Sequence, residues 1–296
     1  MESYLSFQRS MQVSTADITE PMKIAVLSGK GGAGKTFVST NLAYVYKDSI
    51  YADTDVEEPD GYLYFKDEKL RESVCNEMLP VFDAEKCTGC RECVRHCAFN
   101  ALAYIAKKPL VFDEVCHSCG LCRIVCPEGA VSEGKKEVGK VIYGKKTIYG
   151  LMNTGIASAV PLIANVLDEA DKYGAADVVI DCPPGSSCAV MESIKDVDYS
   201  IVVAEPTEFG IHNFMMIREL METLHKKYGV VINKAPMEET RLDKLLAENG
   251  IEVLMRIPFS KEIADVSNSG IIASSVDDRV REEFLNLWDR IKERAV

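Results

Sequence analysis

Nothing in this sequence restricts the fold as strongly as the stretch Ser28-Gly29-Lys30-Gly31-Gly32-Ala33-Gly34-Lys35-Thr36. It follows the apolar run Lys23-Ile24-Ala25-Val26-Leu27 and precedes a helical pattern through Asn41, Leu42, Ala43 and Val45. From Gly29 to Thr36 it satisfies G-x-x-x-x-G-K-S/T, in the strand, loop and helix setting that turns such a match into a phosphate-binding loop. The reason is electrostatic and steric. A polyphosphate carries several negative charges, so the loop must bring N–H groups close, which residues without a Cβ allow, and aim them from a helix N-terminus. Lys35 then reaches the β- and γ-phosphates, the Thr36 hydroxyl ligates Mg²⁺, and Phe37 begins the helix behind them.

Length and composition bound what can surround this loop. A chain of 296 residues, 47% of them hydrophobic, holds one large α/β domain plus a small insert, or two modest domains. Its net charge of −12 argues against a sequence-independent grip on nucleic acid, which needs clustered Lys and Arg. Eleven cysteines without a secretory signal pattern in the first 22 residues suggest a reducing cytoplasm, where clustered cysteines bind metal more often than they pair. No run approaches 18 apolar residues, so no membrane-spanning helix is expected. Residues 1–21 read as a flexible arm.

Carboxylates mark the ends of two further strands. Asp48 to Ala52 is a short strand ending in the acidic string Asp53-Thr54-Asp55-Val56-Glu57-Glu58-Pro59-Asp60, where open α/β sheets bind ligands; an acidic turn is the alternative. Residues 155–173 have helical spacing, and Asp177 to Asp181 is a buried-type strand delivering Asp181 as a carboxylate bound to Mg²⁺ through water. Tyr199 to Ala204 forms another strand, followed by a helix with Ile211, Phe214, Met215, Ile217, Leu220 and Leu224 on its core side. The last helix presents Val280, Phe284, Leu287, Trp288 and Ile291 on one face for packing on the sheet.

Between these segments lie Cys87, Cys90, Cys93 and Cys97, then Cys116, Cys119, Cys122 and Cys126, each run reading C-x₂-C-x₂-C-x₃-C. That is the spacing of bacterial two-cluster ferredoxins, in which the fourth cysteine of each run ligates the other cluster. Cys87, Cys90, Cys93 and Cys126 would thus hold one 4Fe–4S cluster, and Cys116, Cys119, Cys122 and Cys97 the second. Zinc is the competing occupant, but one zinc needs four ligands and does not require two matched runs. Ala98 stands where the second run has Pro127, a departure that leaves the ligands untouched. His96 and His117 are expected to neighbour the clusters without ligating them. The insert is expected over residues 78–133, flanked by a charged stretch, Lys66 to Glu77, and a lysine- and glycine-rich one, Lys135 to Lys146. Cys75 reads as an ordinary thiol.

With Lys30, the loop resembles the deviant Walker A motif of the MinD/ParA/Mrp and nitrogenase iron protein superfamily. The resemblance implies a P-loop ATPase with a doubly wound, mostly parallel sheet over residues 22–65 and 141–296, interrupted by the small α+β ferredoxin. It implies an ATP-dependent homodimer, or a heterodimer with a paralogous ATPase, in which Lys30 touches the nucleotide of the other subunit. Asp53 and Asp55 match switch I, Asp53 holding the Mg²⁺ shell and Asp55 orienting water. Asp181 to Gly185 matches switch II, with the Gly185 amide sensing the γ-phosphate, while Asn233, Lys234 and Pro258 match the adenine site. Cys188 stands where the nitrogenase iron protein has a bridging-cluster cysteine, but that protein's second bridging cysteine has no evident counterpart here; a packed structural thiol is the alternative to a further cluster at Cys188 with Cys182 or Cys75. The function implied is ATP-gated electron transfer to a redox partner. Cluster or metallocofactor assembly, and a positioning ATPase using the ferredoxin as a docking module, are the alternatives; neither nucleic acid nor membrane is an expected partner.

Overall fold

A computed structural model describes residues 21–174 and 176–295. Of the arm expected over residues 1–21, all but Pro21 lies outside them. The chain enters as β1 (Lys23–Leu27), turns through the glycine-rich loop into α1 (Lys35–Val45) and returns as β2 (Ser49–Asp53). A 3₁₀ turn at Gly61–Tyr64 leads into the long strand β3 (Arg71–Phe82). Next come α2 (Glu92–Arg95), the hairpin of β4 (Leu102–Ile105) and β5 (Lys108–Val111), α3 (Leu121–Ile124), and β6 (Val131–Tyr143). Strands and helices then alternate: β7 (Thr147–Met152), α4 (Val160–Asp171), β8 (Asp177–Asp181), α5 (Cys188–Ser193), β9 (Tyr199–Ala204) and α6 (Glu208–Thr223). β10 (Tyr228–Ala235), α7 (Arg241–Glu248), β11 (Val253–Pro258), α8 (Lys261–Asn268) and α9 (Asp278–Ala295) complete the chain.

The strands form a sheet in the order β11-β10-β9-β1-β8-β2-β7-β6-β3, parallel from β11 to β7 and antiparallel at β6 and β3. Its central strands are continuous apolar runs because helices cover both faces. One face buries Leu162, Ile163 and Val166 of α4 with Phe214 and Ile217 of α6. The other buries Val38 and Leu42 of α1 with Phe284, Leu287 and Trp288 of α9, where the Trp288 indole donates to the Leu42 carbonyl at 2.7 Å. All five residues expected on the inner face of the last helix are buried. In α6 the stripe facing the sheet is Ile211, Phe214, Ile217 and Met221. Met215, one position round from that stripe, is 39% exposed, and Leu224, just past the helix end, is 37% exposed, which corrects the expectation that both are core. No helix among the described residues is long and apolar enough to cross a membrane.

The two segments flanking the cysteine runs, read from the sequence as charged or lysine-rich connections, are strands. β3 and β6 pair continuously from Arg71 opposite Tyr143 to Phe82 opposite Val131, whereas β6 pairs with β7 only from Gly139 to Tyr143. Beyond Gly139 they leave the sheet as a two-stranded ribbon, Asn76–Phe82 on one side, roughly 23 Å long at 3.3 Å per residue. At its root Cys75 faces Gly139 and Asn76 faces Glu137, so Val138 is an extra, fully buried residue, a bulge of the kind that bends and twists a strand. Since the ribbon continues past Met152, the C-terminal end of β7, it projects from the sheet edge that also carries the glycine-rich loop.

Candidate functional site

The loop is held by its neighbours. Gly34 has φ +98, and a Cβ there would collide with the Asn233 side-chain amide; a Cβ on Gly29 would collide with the Asn213 carbonyl of α6. Asn233 Nδ2 donates to the Ala33 carbonyl at 2.8 Å and its Oδ1 accepts from the Lys234 N–H at 2.9 Å, so this residue ties the end of β10 to the loop. Lys234 Nζ donates to the Gly32 carbonyl at 3.1 Å and pairs with Glu205 at 2.5 Å. Lys30 Nζ pairs with the other oxygen of Glu205 and lies 5.4 Å from the centroid of the Phe209 ring. Burial opposes the charge of Glu205, but Lys234 and Lys30 together hold its carboxyl below the usual range. Lys35 is buried at the start of α1.

Beside Lys35 the strand ends gather carboxylates. Oxygens of Asp53, Asp60 and Asp181 lie within 4.8 Å of one another, and Thr36 donates to Asp60 Oδ1 at 3.1 Å. Asp53 accepts from the N–H groups of Asp55 (3.1 Å) and Gly61 (3.2 Å). Tyr51, buried with its ring tilted against Phe65, directs its hydroxyl at Asp181 Oδ2 (2.9 Å) and Asp53 Oδ2 (3.3 Å). Burial first, with mutual repulsion adding for Asp53 and Tyr51, raises the proton affinity of Asp53, Asp181 and Tyr51. Asp181 Oδ1 is buried without a hydrogen-bond partner. Three carboxylates, one of them with an orphaned oxygen, and the Thr36 hydroxyl are a donor set that fits a hard divalent cation. Asp55 stands outside this group, half-buried, its carboxyl pushed up to about 6 by burial against the pull of Lys35. The Gly185 N–H donates to the Ser28 carbonyl at 2.9 Å, placing this part of the chain directly against the loop.

On the other side of Gly34 opens a cavity of about 270 Å³. Phe37, Asn233, Pro258 and Phe259 line it together with α8, whose N-cap Ser260 accepts from the Ile263 N–H. Tyr64 reaches α8 from the 3₁₀ turn, its hydroxyl 3.1 Å from the Ser267 carbonyl and 3.0 Å from Ser267 Oγ. One short segment, Asp53 to Tyr64, therefore touches the carboxylate group at one end and the wall of the cavity at the other.

The cysteines gather on the ribbon. The chain from Cys87 repeats from Cys116, 29 positions on, down to its backbone: Gly89 and Ser118, Arg91 and Gly120, Asn100 and Gly129 all have positive φ, and α2 and α3 occupy matching places. Each half closes with an N–H donated to the fourth sulfur, Ala101 to Cys97 and Ala130 to Cys126, both at 3.3 Å. Two small cavities of about 20 Å³ result. Cys87, Cys90, Cys93 and Cys126 line one, with Phe82; Cys116, Cys119, Cys122 and Cys97 line the other, with Met78 and Pro80. Because Met78 and Pro80 precede Phe82 on β3, the second cavity is the nearer to the sheet. Phe99 and His117 stack at 3.9 Å along its wall, and His96 is exposed on the surface. Among the described residues no three of these sulfurs lie within 4.8 Å of one another. Tetrahedral zinc, with Zn–S about 2.3 Å, needs sulfurs about 3.8 Å apart. A polynuclear cluster, in which each thiolate bonds a different iron, fits the wider spread.

The remaining three cysteines do not converge. Cys75 is buried against the Pro161 carbonyl, Cys182 is buried with its thiol pushed far up by desolvation, and Cys188 is exposed at the start of α5. None of them belongs to a metal-capable group among the described residues.

Residues 24–273 match the CbiA family, the CobQ/CobB/MinD/ParA nucleotide binding domain. The chain belongs to this family. An uncharacterised protein of Methanocaldococcus jannaschii is 29% identical over 280 residues, 92% of this chain and 97% of its own length. The iron-sulfur cluster carrier protein of the same organism is 24% identical over 298 residues, 92% of this chain and 84% of its own. The fold is similar to that of the septum site-determining protein MinD complexed with Mg-ADP from Pyrococcus horikoshii OT3, at TM-score 0.56 and 14% identity over 92% of this chain and 96% of that one.

Within this CobQ/CobB/MinD/ParA domain, sequence reasoning overlooked Asp60 and Glu205 as parts of the site. Both were within its reach. Asp60 closes the acidic string after β2, and Glu205 follows the C-terminal end of β9, so each obeys the strand-end rule that singled out Asp53 and Asp181. Neither α8 nor Tyr64 carries a comparable signal, since ordinary helix and turn residues become pocket walls only through packing.

Proposed function

We propose that this MinD/ParA-type protein is an ATPase whose nucleotide cycle gates electron transfer through two 4Fe–4S clusters. ATP would lie on the loop from Gly29 to Thr36, its base in the cavity walled by Phe37, Asn233, Pro258 and Phe259. Mg²⁺ would be held by Thr36 and, through water, by Asp53 and Asp181. Lys35 neutralises the phosphates, Asp55 orients the attacking water, and Gly185 turns its N–H from Ser28 to the γ-phosphate. Lys30 crosses to the nucleotide of a second copy, and closure of that dimer changes how the insert meets its partner. The bound clusters would supply one-electron chemistry at low potential. Their thiolates would come from Cys87, Cys90, Cys93 and Cys126 for one, and from Cys116, Cys119, Cys122 and Cys97 for the other.

The single observation carrying this reading is the pair of matched cavities, each walled by three sulfurs of one run and the fourth of the other. The test is anaerobic purification followed by iron, sulfide and zinc analysis and EPR of the reduced protein. Two clusters per chain are expected, and Cys126→Ser should damage the one bound mainly by the first run. Zinc without acid-labile sulfide would overturn the proposal.

A cluster-carrier function is the second reading, favoured by the M. jannaschii relative of that name and by the exposure of Cys90 and Cys119. Release of iron and sulfide to an apo-acceptor on ATP addition supports the carrier; clusters that stay bound while their redox state cycles support electron transfer.

A further inference from the structure

The buried carboxylate of Glu205 stands in the site but has no role yet in binding nucleotide or in hydrolysis. It is 6% exposed, follows β9, and has an ammonium on each oxygen: Lys30 on one and Lys234 on the other. Both lysines belong to the phosphate site. Lys30 is within the loop, and Lys234 is hydrogen-bonded to the Gly32 carbonyl from a left-handed backbone position, φ +54. A buried carboxylate is tolerated only when paired, so each lysine stabilises Glu205 as much as it is held by it.

We infer that Glu205 is a counter-ion latch, a positioning residue that holds Lys30 and Lys234 within their own chain, and that bound polyphosphate competes with it for Lys30. The inference rests on nucleotide binding at the loop. A triphosphate docked on the loop N–H groups brings charge of the same sign as Glu205 next to Lys30. Lys30 cannot be fully committed to both. The latch therefore weakens phosphate binding while it holds, and breaking it releases the lysine that would reach a second copy.

Removing the Glu205 charge lowers repulsion of phosphate through space in any case, so what separates a latch from a neighbouring charge is whether the gain depends on Lys30. Glu205→Gln keeps the shape and the hydrogen-bonding capacity and deletes only the charge. Under the latch, its affinity for inorganic triphosphate and for Mg-ATP rises about threefold or more, the size of a partly exposed ion pair, and the gain grows at low salt. The gain disappears when Lys30→Met is added. Glu205→Asp, which retains the charge but draws it back one methylene, gains less, and it carries the test if Glu205→Gln does not fold. Calorimetric titration reads these affinities, and thermal melting reports folding. Equal or weaker binding by well-folded Glu205→Gln overturns the latch alone. Wild-type protein that binds neither triphosphate nor Mg-ATP overturns the nucleotide reading and the latch with it.

Discussion

Asp55 and its neighbours Asp53 and Asp181 answer to burial in different ways. Asp53 and Asp181 share the Tyr51 hydroxyl and face each other, whereas Asp55, half-buried, is pushed to about 6. In the unfolded chain Asp55 titrates near 4, so the folded protein holds its proton more tightly. Its protonated form therefore favours folding fully below about pH 4, and this contribution is lost as the pH rises through about 6. Asp55→Asn removes the effect. Its stability relative to wild type, from urea denaturation without Mg²⁺, should grow between pH 4 and pH 7 by about 1–2 kcal/mol after allowance for screening. A difference that does not change with pH would refute the assignment. Asp55→Ala should keep Mg-ATP affinity within about threefold, abolish phosphate release and accumulate an ATP-bound dimer, whereas Lys30→Ala should weaken that dimer. Gel filtration with Mg-ATP distinguishes them: the same monomer in wild type and both variants would refute the dimer mechanism. A strand-end carboxylate is visible in sequence, as Asp60 and Glu205 were; what it faces, such as the two lysines on Glu205, is not.

Among the elements, the ribbon is where sequence and structure part. β8 and β9 were legible to the residue, because a strand buried on both faces is a bounded apolar run. β3 and β6 were not, because a ribbon away from the sheet buries only scattered residues such as Pro80 and Val131, and its Lys, Glu and Ser show no alternation to read. Its root packs into the core of the sheet around Cys75, Val138 and Gly139. A Cβ on Gly139 would collide with the Leu151 carbonyl and come within 2.8 Å of Leu162 Cδ2, and backbone does not yield as a side-chain tip does. Gly139→Ala is therefore expected to cost about 1–3 kcal/mol in urea denaturation while leaving the cysteine cavities, remote along the ribbon, able to take up iron. Wild-type stability in this variant would show that the root has room to move. The helix stripes were read with the right period, and the slip at Met215 was one of phase.

For the whole molecule, a single stretch of loop and 3₁₀ turn, between Asp53 and Arg71, joins the nucleotide edge to the cysteine-bearing ribbon. The segment from Asp53 passes the carboxylate group, touches α8 through Tyr64 and runs directly into β3. If ATP favours one arrangement of this segment and reduction of the proposed clusters another, nucleotide changes the accessibility of the cysteine segment, and reduction changes nucleotide affinity by the factor by which nucleotide shifts reduction. A coupling of about 1–3 kcal/mol appears as roughly a 5- to 150-fold change. Chelation of iron by bathophenanthroline with no nucleotide, with ADP and with a non-hydrolysable ATP analogue measures one side. Nucleotide titration of oxidised and dithionite-reduced protein measures the other. Equal rates and equal affinities throughout would leave the insert a passive docking module. The ribbon also has a mechanical consequence. It is an arm of roughly 23 Å fixed at one end, so a tilt of about 10° at its bulged root would carry the tip roughly 4 Å sideways. The cavity nearer the sheet, lower on the arm, would travel less. A partner that grips the tip would thus feel an amplified version of a small change at the nucleotide, while the inner cavity stayed close to its place.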